Sequence, residues 1–185
     1  LLDRELTWRD NKRLERLHKQ AKLKYAGACL EDLARRLGRC LDERQLATPA
    51  SGDWIRQQHN LLLTGPAGAA NLTRLRPGQL GLRQGHSTLY LRTPRLLEQL
   101  RIVLCDGSFG CTLQQLAKVD VLILDDWALA PLEENTRHDL LKVIDDCTGS
   151  RSTVLTSQLL VDHWHCWIND PAVADALLDW LVYSA

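Results

Sequence analysis

Two adjacent carboxylates, Asp125 and Asp126, follow the apolar run Val121-Leu122-Ile123-Leu124. Four consecutive apolar residues make a strand buried on both faces, so the acidic pair emerges at its carboxyl end, where open parallel sheets bind ligands. In nucleotide hydrolases this is the Walker B pattern. The first Asp holds Mg²⁺ and the second acidic group orients or activates the attacking water. A turn capped by two acidic residues before Trp127 would look the same in isolation.

A hydrolase of this kind needs a phosphate loop, G-x-x-x-x-G-K-[ST], after its first strand. Leu61-Leu62-Leu63-Thr64-Gly65-Pro66-Ala67-Gly68-Ala69 begins such a loop. The second motif glycine then falls on Ala70, the lysine on Asn71 and the hydroxyl residue on Leu72. The phosphate-binding ammonium and the hydroxyl ligand of Mg²⁺ are lost together. The following helix should present its N-terminus to phosphate, yet it carries Pro77, Gly78 and Gly81. An interior Pro costs roughly 3 kcal/mol and a Gly roughly 1 kcal/mol.

Thr156-Ser157-Gln158 supplies polar groups at the end of a later strand, where P-loop ATPases keep a sensor for the γ-phosphate. Hydroxyls capping a strand end are the alternative. His163, His165 and Cys166 fall on different faces of a helix, and no fourth ligand is near in sequence, which argues against a metal site. Trp164 and Trp167, three apart, are expected to pack a helix rather than stack on bases.

The elements that must position these groups follow from periodicity. Residues 3–24 read as a charged helix, with Leu14, Leu17 and Ala21 at helical spacing. Arg9, Lys12, Arg13, Arg16, Lys19 and Lys22 surround that stripe. A helix over 29–37 ends near Gly38, and Thr48 to Gly52 break the pattern. A short helix over 53–60 carries Trp54 and Ile55. Strands are expected at 61–64, 88–91, 121–124 and 153–156. Helices are expected from Pro94 through Leu100, at 113–117, 133–146, 161–168 and 171–182. Alternating strands and helices imply an α/β three-layer sandwich with a parallel sheet. Residues 64–70, 125–127 and 156–158 should then converge at one sheet edge.

The 185 residues are 45% hydrophobic, which fits one ordinary domain with a core and excludes a disordered chain. No apolar run approaches the roughly 18 residues of a membrane span, and no secretory leader opens the chain. Six Cys without a C-x-x-C pair point to a reducing, cytoplasmic setting. Met is absent even at position 1, so a fragment of a longer protein is expected. The zero net charge hides an asymmetry. Residues 1–25 carry 8 basic and 4 acidic side chains, residues 26–119 carry 12 and 7, and residues 120–185 carry 3 and 12. Such a chain can meet an anionic partner on one side only; a solvated helix face is the bland alternative.

These motifs together resemble the IstB-like ATP-binding helpers of bacterial insertion sequences, AAA+ ATPases similar to the helicase loader DnaC and the initiator DnaA. The resemblance spans essentially the whole chain. It rests on Ala28 to Asp32, Ser51 to Ile55, Leu89 to Leu97, Asp106 to Gly110, Val121 to Trp127 and Thr156 to Leu159. It implies a basic helical region over 1–52 and an AAA+ core over 53–185, truncated at its C-terminus. It implies ATP and Mg²⁺ as cofactors, with DNA and the transposase of the same element as partners, and a homo-oligomer when intact. On that analogy Gly65, Pro66, Ala67, Gly68, Ala69, Ala70, Asn71 and Leu72 occupy the phosphate loop. Asp125 would bind Mg²⁺, Asp126 would act on water and Ser157 would be the sensor. The cations of 3–24 become candidate DNA contacts. The chain departs from the family at Ala70-Asn71-Leu72, at Leu160 in place of Pro, and at Trp180 in place of Arg. Similarity is good through Ala69, vanishes across 70–81 and resumes near Arg83-Gln84-Gly85. Point substitution scatters changes, so this concentration predicts a frame-shifted stretch. A helper defective in hydrolysis, a non-catalytic DNA- or transposase-binding remnant and a DnaC-like loader are the readings left open.

Overall fold

The computed structural model describes residues 52–65, 81–82, 84–107, 109–183 and 185. The expected helices at 3–24 and 29–37, their DNA-contact cations, and residues 66–72 of the phosphate loop lie outside the described residues.

Four parallel strands form one sheet: β1 (Leu61–Thr64), β2 (Thr88–Arg92), β3 (Val121–Trp127) and β4 (Ser152–Ser157), in the spatial order β1-β4-β3-β2. Helices join β2 to β3 and β3 to β4, as parallel pairing requires. These are α2 (Thr93–Asp106) and α3 (Phe109–Leu116) between β2 and β3, and α4 (Glu134–Cys147) between β3 and β4. The short α1 (Asp53–Arg56) precedes β1. A 3₁₀ turn (Val161–His163), α5 (Trp164–Ile168) and α6 (Pro171–Val182) follow β4.

Side-chain alternation sorts the sheet into two cores. Leu122, Leu124 and Leu155 face Leu96, Leu100, Leu140, Ile144 and Leu177 from the helices. Val121, Ile123 and Val154 face Trp54 and Ile55 of α1, with Leu61, Leu63 and Tyr90 beside them. The first core is the larger, and Leu122 and Leu124 are fully buried. Truncating either to Ala is worth about 2–5 kcal/mol on general grounds.

Local signals set the boundaries. Pro94 opens α2, and Gly107 closes it at φ 76°, where a residue without Cβ is favoured. The helix therefore runs past Leu100 to Asp106. Asp170 caps α6 by accepting from the Val173 amide at 3.1 Å, and Pro171 opens that helix. α1 is shorter than expected because Gln58 adopts φ 58° and the His59 amide closes back on the Trp54 carbonyl. Among the described residues, no helix is long and apolar enough to cross a membrane.

Candidate functional site

The strand order brings the carboxyl ends of β1, β4 and β3 side by side, so Gly65, Asp125 and Ser157 share one sheet edge, as expected. The Gly65 amide donates to the Ser157 carbonyl at 3.0 Å, which fixes the end of β1 against β4.

The carboxylates sit on a β-bulge. Leu124 pairs with Leu155 and Trp127 with Ser157, so Asp125 and Asp126 of β3 stand opposite the single residue Thr156 of β4. Asp126 takes a left-handed backbone, φ 58°, which an Asp tolerates better than most residues. The extra residue reverses the alternation. Trp127 joins the Leu122/Leu124 face and packs on Trp164 and Trp167, ring centroids 5.7 and 5.3 Å away. Both flanking tryptophans are anchored by their indole N–H groups, Trp164 to the Leu159 carbonyl and Trp167 to the Ala130 carbonyl. They pack a helix, as their spacing suggested.

The bulge gathers both carboxylates toward the Tyr90 and Arg92 side of β2. Tyr90 Oη donates to Asp125 Oδ2, and Thr156 Oγ1 donates to Asp125 Oδ1. Arg92 donates to Asp126 Oδ2 from Nε at 2.8 Å and Nη2 at 2.6 Å. Both carboxylates are buried. Burial, then the hydrogen bond to Asp125 and its charge, push the Tyr90 phenol above its ordinary range. Asp126 also lines a cavity of about 190 Å³ with Trp127, Ala128, Leu129, Gln158 and Leu159.

Ser157 is placed differently from its neighbour. Its hydroxyl donates to the Trp127 carbonyl at 2.9 Å and accepts the Leu159 amide at 3.0 Å. The hydroxyl on the carboxylates belongs to Thr156. Sequence reasoning missed Tyr90 and Arg92 as site residues, and within Thr156-Ser157-Gln158 it singled out Ser157 rather than Thr156. The available signal was polar side chains at the carboxyl ends of β2 and β4, the edge already assigned to ligands.

Among the described residues, the donor set at Asp125 does not fit a resident Mg²⁺. That ion wants a near-octahedral shell with one or two accessible carboxylate oxygens and several waters. Here each Asp125 oxygen already accepts a hydroxyl, and the adjacent Asp126 faces a guanidinium. Among the described residues, no group of three or more His, Cys, Asp or Glu side chains is gathered closely enough to hold a metal.

A four-stranded parallel sheet of order β1-β4-β3-β2, with helices between its strands and a carboxylate pair at the carboxyl end of a central strand, has the α/β fold of AAA+ P-loop domains. Solved structures share this fold. DnaI superposes with a TM-score of 0.69 at 18% identity, covering 86% of this chain and 89% of that one. The DnaC helicase loader gives 0.60 at 15%, covering 74% and 85%. The replication initiator DnaA, solved with AMPPCP and single-stranded DNA, gives 0.59 at 15%, covering 74% and 44%. The chain belongs to the IstB-like ATP binding protein family, which matches residues 1–185. A Pseudomonas fluorescens protein of insertion sequence IS1162, named for ATP binding, is 76% identical over 86% of this chain and 69% of its own length. A Sinorhizobium fredii insertion-sequence protein, also named for ATP binding, is 42% identical over all of this chain and 75% of its own length.

Proposed function

We propose that this chain is an ATP-binding helper of insertion-sequence transposition that acts on DNA with the transposase of the same element, and that this copy does not turn ATP over. Family membership supports the role, and relatives are named for ATP binding in insertion sequences. One of the fold's neighbours was solved with a nucleotide analogue and single-stranded DNA, in keeping with a nucleotide-and-DNA role. The observation that carries the second half is Ala70-Asn71-Leu72 in place of Gly-Lys-Ser/Thr. Without the lysine, no ammonium offsets the β- and γ-phosphates. Backbone N–H groups at Gly65 to Ala69 could still supply some phosphate affinity.

ATP titration and phosphate release test this reading directly. The parent chain should bind ATP weakly and release phosphate at the background rate. The variant Ala70→Gly/Asn71→Lys/Leu72→Ser restores a charge-assisted phosphate contact worth about 1.5–3 kcal/mol, which is roughly a 10–100-fold gain in affinity. Turnover by the parent that disappears in Asp126→Asn would overturn the claim of a silent copy. The loss of the lysine equally favours a non-catalytic remnant that keeps DNA or transposase contacts, and DNA binding without ATP would mark it.

A further inference from the structure

We propose that Asp125 in this chain is a structural keystone rather than a metal ligand, tying β2, β3 and β4 together so that the ligand-facing edge assembles without a divalent cation. Three observations carry this. The carboxylate is 5% exposed, and each of its oxygens accepts a hydroxyl from a different neighbouring strand, Tyr90 on β2 and Thr156 on β4. Thr156 is fully buried, so its hydroxyl has no solvent alternative and depends on this bond. Finally, the bracket stands where the main chain offers least: the β3–β4 register shifts between Leu124 and Trp127, interrupting the ladder of backbone bonds at Asp125 and Asp126. Side chains thus join the strands at the one point where the backbone ladder is disturbed.

The reassignment also matches what the phosphate loop has lost. A Mg²⁺-holding carboxylate works beside a loop hydroxyl, and Leu72 stands in that position here. Tyr90 and Thr156 supply two hydroxyls from the sheet itself. Both are neutral donors, one to each Asp125 oxygen. The Arg92 guanidinium on the adjacent Asp126 keeps two neighbouring negative charges tolerable within a buried edge.

Thermal unfolding of the full chain, with and without millimolar MgCl2 or MnCl2 and with no nucleotide present, tests this independently of ATP binding. The parent's midpoint should not move with either cation. Tyr90→Phe and Thr156→Val should each lower it by roughly 3 °C or more, and Asp125→Asn should lower it further. In a double-mutant cycle, Tyr90→Phe should cost less once Asp125 is already Asn, because the two groups share one bond. A metal ligand behaves in the opposite way. Neutralising it relieves repulsion, so Asp125→Asn would leave or raise the metal-free midpoint, and Mn²⁺ would stabilise the parent but not the variant. Either result overturns the proposal. If Asp125→Asn does not fold, the two hydroxyl deletions decide: unchanged midpoints, or a cation-dependent parent, overturn it.

Discussion

Arg92 grips one oxygen of Asp126 twice, with Nε at 2.8 Å and Nη2 at 2.6 Å on Oδ2. The Asp126 side chain is 8% exposed while the Arg92 side chain is 58% exposed, so one partner depends on the contact far more than the other. Arg92→Leu should destabilise by about 1–2 kcal/mol, the cost of leaving a buried acceptor without its charged donor, tempered by exposure of the Arg. Adding Asp126→Asn to that variant should recover part of the loss. Urea midpoints for the four chains of the cycle measure it, and the parent should lose some of the benefit in 1 M salt.

The Tyr90 phenol gives the fold an alkaline limit. Its pKa is raised in the folded state by burial and by Asp125, whereas in the unfolded chain it titrates near pH 10. Below about pH 10 both states hold the proton and the contribution is complete. Above that, the unfolded state releases it first, so stability falls as pH rises. Tyr90→Phe should start from a lower stability and lose less between about pH 9 and 11. Chemical denaturation across that range reads the difference.

Residues 4–24 should hold duplex DNA without sequence preference, through the eight basic side chains of that stretch. Charge reversal at Arg13, Arg16 and Lys19 should weaken binding roughly tenfold or more at low salt and reduce the salt slope by about 3. Equal binding by parent and triple variant would reduce this basic stretch to a solvated surface.

The gene itself should carry the missing motif in another frame. Ala70-Asn71-Leu72 can be written GCA-AAT-CTG, and the same bases read with one G restored give GGC-AAA-TCT, Gly-Lys-Ser. Sequencing codons 70–82 should show Gly-Lys-Ser/Thr in the shifted frame, followed by an apolar helical pattern. Codons with no such frame would mean that the loop diverged residue by residue.

Much of this fold was legible because hydrophobic periodicity is a local property. Leu61 to Thr64 and Val121 to Leu124 are strands where the apolar runs place them, and the shared edge of Gly65, Asp125 and Ser157 follows from parallel connection alone. The misreadings have a common cause. β3 continues through Asp125 and Asp126 to Trp127 because a bulge absorbs the acidic pair, whereas two carboxylates in a row look like a strand end. Ser157 stood out by its place at the strand end, and the hydroxyl on Asp125 belongs to its neighbour Thr156, since a bulge on the adjacent strand decides which hydroxyl faces that carboxylate. Tyr90 and Arg92 reach the carboxylates only because β2 lies next to β3, a fact of strand order that spacing along the chain does not encode.

That strand order also sets a hierarchy of exchange with solvent. β3 and β4 lie inside the sheet and are buried at every residue, while β1 and β2, at its margins among the described residues, are half-exposed along most of their length. Amide protons of Leu122 to Leu124 and of Val154 to Thr156 should belong to the slowest class, released only by global opening, and those of Leu61 to Leu63 and Leu89 to Leu91 to faster, local openings. Asp125 and Thr156 therefore ride on the most persistent part of the molecule. Tyr90, Arg92 and the loop that leaves Thr64 are carried by its fraying margins, so the floor of the site outlasts its walls.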